Sequence, residues 1–219
     1  MTKTLFITGA SSGIGAATAK AAAAAGWHVG LFARSEDKLK ALADEIGDHA
    51  TVLPGDVTKL GDVTNALDQL QQVDAVFANA GKGLSAAGSE GGDPEEWHEM
   101  IDINIMGVLY TAKAALPRLR EIKGHMVLTG SAAGRRHIKG SIYGASKWFI
   151  HGYGGNLADE MAEWGGRCTV VAPGMVDTAF FDEPKPDKLQ PEDVADAVMH
   201  ALSADPRCDV REVFLMPTN

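Results

Sequence analysis

Tyr143 and Lys147 stand four residues apart in Tyr143-Gly144-Ala145-Ser146-Lys147, so on a helix they share one face and their side chains meet. A phenol with an ordinary pKa near 10 carries protons poorly at neutral pH, and an ammonium beside it favours the phenolate. The pair could therefore pass a proton to or from a reacting oxygen, with Lys147 tuning Tyr143. Ser131 lies twelve residues before Tyr143 at the end of an apolar run, where its hydroxyl could donate a hydrogen bond to the same oxygen. Asn104, in Ile101-Asp102-Ile103-Asn104-Ile105, is a polar amide in an apolar helical stretch and must find partners if buried. Each has a plainer reading as well: a surface pair for Tyr143 and Lys147, a strand-terminal hydroxyl for Ser131, a structural amide for Asn104.

A second constellation lies near the start of the chain. Thr8-Gly9-Ala10-Ser11-Ser12-Gly13-Ile14-Gly15 follows a short apolar run and opens an alanine-rich helix. Glycines there permit backbone dihedrals closed to other residues, and the helix N-terminus offers N–H donors and positive potential, so the turn could cradle an anion. Its Gly-x-x-x-Gly-x-Gly spacing differs from the general Gly-x-Gly-x-x-Gly dinucleotide pattern, and a tight strand-to-helix connection without ligand would also explain it. The seven histidines, at 28, 49, 98, 125, 137, 151 and 200, form no pair at His-x-x-x-His spacing, so no metal site is expected.

These groups need a scaffold. Short apolar, β-branched runs at 4–8, 29–32, 51–53, 75–78, 126–129, 168–172 and 213–216 alternate with segments of helical character at 16–25, 36–46, 60–70, 94–119, 143–164 and 191–202. That succession, with near-continuously apolar strands, predicts an α/β fold: a doubly wound seven-stranded parallel sheet with helices on both faces. No composition shift divides it, so residues 1–219 are expected to form one domain. Asp93-Pro94-Glu95-Glu96 carries the cap carboxylate, first-turn proline and glutamate of a helix start. The proline-rich stretch 182–191 is the most loop-like part of the second half.

With 29 acidic and 20 basic residues the net charge is -9, which disfavours nonspecific binding to nucleic acid or to an anionic membrane. Cys168 and Cys208 form no CxxC pair, pointing to a reducing compartment. No run of 18 apolar residues occurs and the first apolar run is too short for a signal peptide, so a soluble, cytoplasmic protein is expected.

Read together, Thr8-Gly9-x-x-x-Gly13-x-Gly15, Asp56-Val57, Asn79-Ala80-Gly81, Asn104, Ser131, Tyr143-x-x-x-Lys147 and Pro173-Gly174 resemble the short-chain dehydrogenase/reductases. The resemblance covers nearly the whole chain and implies a Rossmann-type fold binding a nicotinamide dinucleotide. By that resemblance Gly9, Ser11, Ser12, Gly13, Ile14 and Gly15 bind the pyrophosphate, and Asp56 and Val57 flank the adenine. Asn79, Ala80 and Gly81 support the cofactor at the central strand. Pro173 and Gly174, with Val176 and Thr178, embrace the carboxamide. Lys147 also holds the nicotinamide ribose, and Asn104 serves a water-mediated proton relay. Ala78 replaces a second asparagine common before Asn79. At the end of the second strand Ala33 stands where NAD-dependent relatives carry Asp, while Arg34, followed by Ser35, matches the basic position of NADP-dependent ones. NADP(H) is therefore the expected cofactor.

The implied activity is hydride transfer between NADP(H) and a ketone, aldehyde or secondary alcohol, with Tyr143 as general acid/base. The alternatives are a catalytically weak NADP(H)-binding redox-sensor module, which Ser131, Tyr143 and Lys147 argue against, and a methyltransferase, which would need an acidic ribose contact where Ala33-Arg34 stands. Residues 177–190 are the expected substrate lid, with Phe180 and Phe181 as apolar contacts. Arg135, Arg136, His137 and Lys139 form a positive cluster that could attract an anionic substrate group or simply be solvated. The tail loosely resembles 3-hydroxy acid and serine dehydrogenases and broad carbonyl reductases. A homodimer or homotetramer is expected through the 94–119 and 143–164 helices, with Met100, Met106, Trp148 and Phe149 as the apolar seam.

Overall fold

Alternation within the first strand sets the two layers of the core. In β1 (Thr4–Thr8) Leu5 and Ile7 face one side and Phe6 the other, and all three are fully buried, so the strand must be covered on both faces. The computed structural model describes residues 2–218 other than Ala87 and Asp182. Its strands β1, β2 (His28–Ala33), β3 (Ala50–Pro54), β4 (Ala75–Ala78), β5 (His125–Thr129), β6 (Arg167–Pro173) and β7 (Glu212–Leu215) form one seven-stranded sheet in the order β3-β2-β1-β4-β5-β6-β7. All pairings are parallel, as the apolar runs require.

The helices are α1 (Gly13–Ala24), α2 (Glu36–Ile46), α3 (Leu60–Asp68), α4 (Pro94–Ile101), α5 (Gly107–Ile122), α6 (Ile142–Ala162) and α7 (Pro191–Ser203). Ala19 and Ala22 of α1, Leu39 of α2 and Val194 and Val198 of α7 pack on the Leu5/Ile7 face. Val63 of α3, Val108 of α5 and Ile150 of α6 pack on the Phe6 face. The chain leaves β1 toward β2 and β3, then crosses back to β4 on β1's other side. At that reversal the connections diverge and open a crevice beyond the carboxyl ends of the strands.

Helix starts behave as the sequence expects: Asp93 Oδ1 accepts from the Glu95 amide at 3.0 Å ahead of Pro94. The 94–119 segment differs from expectation. It is α4, then a π-helical turn over Asp102–Met106, then α5, with the Gly107 amide reaching back to the Asp102 carbonyl. A π turn adds one residue to the cycle, too small a phase shift for apolar periodicity to reveal, and it buries Asn104. Met100 is also fully buried in the chain's own core, which removes it from any seam between copies, whereas Trp148 and Phe149 are exposed. Among the described residues no helix is long and apolar enough to cross a membrane, and no group of His, Cys, Asp and Glu could hold a metal ion.

Candidate active site

At the carboxyl edge of the sheet, β1 and β4 end beside one another and are stitched together by side chains. Thr8 Oγ1 accepts from the amides of Asn79 and Ala80 at 3.0 and 3.1 Å. Asn79 Nδ2 returns bonds to the carbonyls of Thr8 and Gly9 at 3.2 and 3.3 Å. Chain passes so close here that glycine is obligatory at two positions. Gly9 has φ +67°, and a Cβ there would stand 2.9 Å from Ala80 Cα. On Gly15 a Cβ would meet the Gly9 carbonyl oxygen at 2.3 Å. Gly13, at φ +52°, instead faces Thr178 across the crevice.

The crevice is a cavity of about 1100 Å³. Gly9, Ser11, Ser12, Gly13 and Ile14 line it at the turn, and Ala33, Arg34, Ser35, Asp56 and Val57 line it at the ends of β2 and β3. Asn79, Ala80 and Gly81 form its floor, and Pro173, Gly174, Val176 and Thr178 line the side above β6. Two expected residues lie outside the wall: Gly15 is packed inside the turn, and Asn104 is buried behind the floor. Asp56 accepts from the Thr58 amide and hydroxyl at 3.0 and 2.9 Å. Burial opposes its ionisation, yet those bonds and the charges of Arg34 and Lys59 hold its carboxyl below the usual carboxylate range. Arg34 is exposed and makes no salt bridge among the described residues.

At the other end of the cavity stand Ser131, Tyr143 and Lys147. Ser131 follows β5, and its Oγ accepts from the Ala133 amide at 3.1 Å while also bonding with Tyr143. Tyr143 opens α6, whose Ser141 caps the helix by accepting from the Gly144 amide at 2.8 Å. One turn later Lys147, buried, donates from Nζ to the Thr129 carbonyl at 2.9 Å and lies 5.8 Å from the centre of the Tyr143 ring. Asn104 uses both ends of its amide on the Lys82 backbone, at 2.8 and 3.0 Å, and reaches Ser146 Oγ at 3.3 Å. It thereby ties the π-helical turn to the chain after β4 and to α6.

Within the chain itself, burial pushes the Tyr143 phenol up to about 12, against the hydrogen bond with Ser131. Burial likewise brings the Lys147 ammonium down to about 8. The sequence expectation that Lys147 lowers the Tyr143 pKa is not met by the protein's own groups, because Nζ turns to the Thr129 carbonyl and desolvation outweighs it.

A sequence profile of the family described as short chain dehydrogenase matches residues 3–189. The chain belongs to the short-chain dehydrogenase/reductase family of oxidoreductases. An uncharacterized oxidoreductase of Staphylococcus aureus strain MRSA252 is 39% identical over 225 residues, spanning 98% of this chain and 97% of that one. Among solved structures, an alcohol dehydrogenase from the archaeon Thermococcus sibiricus, complexed with 5-hydroxy-NADP, superposes with TM-score 0.92 at 33% identity, over 100% of this chain and 97% of the other. A 3-ketoacyl-(acyl-carrier-protein) reductase from Brucella melitensis, complexed with NADH, gives TM-score 0.88 at 26% identity, over 97% and 96%.

Around this short-chain dehydrogenase/reductase site, several side chains carry weight that motif reading missed. Thr129 Oγ1 donates to Asn79 Oδ1 at 3.2 Å while its carbonyl receives Lys147, so one residue joins the β4 floor to α6. Ser146 acts in the same way, as does Thr8 of the glycine motif, and hydroxyls at strand ends and one turn inside a helix are the signal that could have found Thr129 and Ser146. Of the positive cluster, only Arg136 lines the cavity. Arg135 pairs with Glu212 and lies over the Phe214 ring, and His137 stacks on Trp148 at 5.5 Å. In the 177–190 segment, Asp182 lies outside the described residues. Phe180 packs against Tyr143 with ring centres 5.4 Å apart, and Gly83 leaves room for it, since a Cβ there would stand 2.8 Å from its Cζ.

Proposed function

We propose that this chain is an NADP(H)-dependent oxidoreductase that moves hydride between the nicotinamide and a ketone, an aldehyde or a secondary alcohol. The observation that carries the reading is one cavity with two chemically distinct ends: exposed Arg34 and the glycine turn at one, Ser131, Tyr143 and Lys147 at the other. A dinucleotide fits the first end on steric grounds, because Gly13, where a Cβ would project toward Thr178 across the crevice, is a glycine with positive φ. Arg34, in no salt bridge among the described residues, can fork two charge-assisted bonds to a 2′-phosphate. Supporting this assignment, the Thermococcus sibiricus enzyme was solved with 5-hydroxy-NADP, while the Brucella melitensis reductase was solved with NADH.

When bound, the cofactor supplies the hydride in one direction and accepts it in the other. The chain's own groups manage the oxygen. Ser131 Oγ and Tyr143 Oη both hydrogen-bond the substrate carbonyl, and the Tyr143 proton passes to the oxygen as negative charge develops there. A phenol held near 12 is fully protonated at neutral pH, and it can still give its proton to a developing alkoxide, which is a far stronger base. Lys147, anchored on Thr129, would hold the ribose next to the nicotinamide through its ammonium. Alcohol oxidation needs the phenolate instead, so its rate should climb as pH rises, while carbonyl reduction stays flat through the neutral range.

The test is Tyr143→Phe assayed with NADPH over a panel of carbonyl compounds. Removing one hydroxyl should leave cofactor affinity and fold intact and lower turnover by the ~10²- to 10⁴-fold expected for lost acid–base catalysis. Turnover near the parental value, with any substrate the parent accepts, would reassign the proton carrier.

A further inference from the structure

His151 stands two turns along α6 from Tyr143 and takes no part in the reaction outlined above, yet it is packed directly behind Ser131. Its Nε2 lies 3.1 Å from the Ser131 carbonyl oxygen and 3.4 Å from the Ser131 amide nitrogen. The loop is shaped to receive the ring. On one side of Ser131 a Cβ on Gly130 would stand 2.9 Å from His151 Nε2; on the other, a Cβ on Gly134 would stand 2.6 Å from Cδ2. Behind the ring, Nδ1 faces Glu212 Oε1 at 3.4 Å, a buried carboxylate oxygen with no hydrogen-bond partner. Glu212 Oε2 in turn pairs with Arg135, which closes the same loop four residues after Ser131.

The geometry points to His151, backed by Glu212, as a positioning residue for the carbonyl-polarising hydroxyl of Ser131. The inference rests on the hydride-transfer reading of the site. With a single proton on Nδ1, directed to Glu212, Nε2 accepts from the Ser131 amide. With a second proton on Nε2, the ring donates to the Ser131 carbonyl. In both states the Ser131 peptide is held from behind, and the direction of Oγ is set by that peptide and by the Ala133 amide. Charged groups facing the ring come from three elements: Glu212 on β7, Arg135 on the loop and Lys147 on α6 itself. A hydroxyl displaced by a fraction of an ångström stabilises developing charge poorly while leaving the phosphate contacts at the glycine turn and Arg34 untouched.

The experiment compares His151→Leu, His151→Gln, Ser131→Ala and the His151→Leu/Ser131→Ala double variant in the full chain. Turnover, KM for the carbonyl substrate, NADPH dissociation constant and melting temperature are measured for each. His151→Leu should lose roughly 10- to 100-fold in kcat with NADPH affinity within about twofold of the parent. His151→Gln, whose amide can still meet Ser131, should recover most of that loss. Because His151 acts through Ser131, the double variant should be no slower than Ser131→Ala alone. The positioning role is overturned if His151→Leu keeps parental kcat beside an inactive Ser131→Ala. It is also overturned if the loss in His151→Leu is matched by weaker NADPH binding or adds fully to that of Ser131→Ala. Parental turnover in Ser131→Ala would instead bring down the reaction reading, and this inference with it.

Discussion

The glycine-turn end of the cavity and its Tyr143 end are built by different means. At the first, main chain meets main chain: Gly9 against Ala80, Gly15 against the Gly9 carbonyl, with Asn79 and Thr8 clamping the gap. At the second, side chains from distant elements meet. Lys147 reaches Thr129, His151 reaches Ser131, Arg135 and Glu212 close the loop, and Phe180 from the 177–190 segment leans on Tyr143. A wall of backbone presents one shape whatever the neighbouring residues are. A wall of side chains changes with each substitution, which suits the end of the cavity where we place the substrate.

Three substitutions test that contrast, beginning with the largest effect. Gly15→Ala should damage fold and cofactor binding together, because its Cβ would stand 2.3 Å from the Gly9 oxygen and 2.8 Å from Asn79 Nδ2. Denaturant unfolding should show about 1–3 kcal/mol lost to overpacking, and NADPH titration should show affinity falling with it. An unchanged midpoint and affinity would mean that this turn yields as easily as a side-chain wall.

Arg34→Ala acts at the same end but touches only an exposed charge, so stability should hold. The preference for NADPH over NADH should shrink by about 1.5–3 kcal/mol, the value of charge-assisted bonds to the 2′-phosphate. Titrating both cofactors against parent and variant measures it, and equal parental affinities would contradict the NADP(H) assignment.

Phe180→Ala should have the smallest effect and the most local one. Losing one aromatic contact of about 0.5–1.5 kcal/mol should raise KM for the carbonyl substrate a few-fold while the NADPH dissociation constant stays put. A matching change in NADPH affinity would show that the two ends are not separately built.

Much of this architecture is legible in the sequence itself. Fully buried strands such as 75–78 can only be apolar, and Asp93-Pro94 can hardly avoid starting a helix, so seven strands and their order of appearance followed from composition along the chain. Residues whose backbone must do something unusual, such as Gly9 and Gly13, were equally legible, since few other residue types tolerate positive φ. Asn104 was seen as an amide needing partners, but its partners, the Lys82 backbone and Ser146, lie 22 and 42 residues away.

Chain-local physics therefore set the elements, the glycine turn and the Tyr143–Lys147 spacing, because propensity, burial periodicity and dihedral permission act over a few neighbouring residues. Only the tertiary fold decided which face of α6 brings His151 behind Ser131, that Arg136 alone of its cluster reaches the cavity, and that Lys147 donates one of its N–H groups to the Thr129 carbonyl. Those outcomes depend on the register between β5, β6 and β7 and on a one-residue π insertion after α4. Long-range registers of that kind are selected by packing of the whole core, and no short window of sequence contains them.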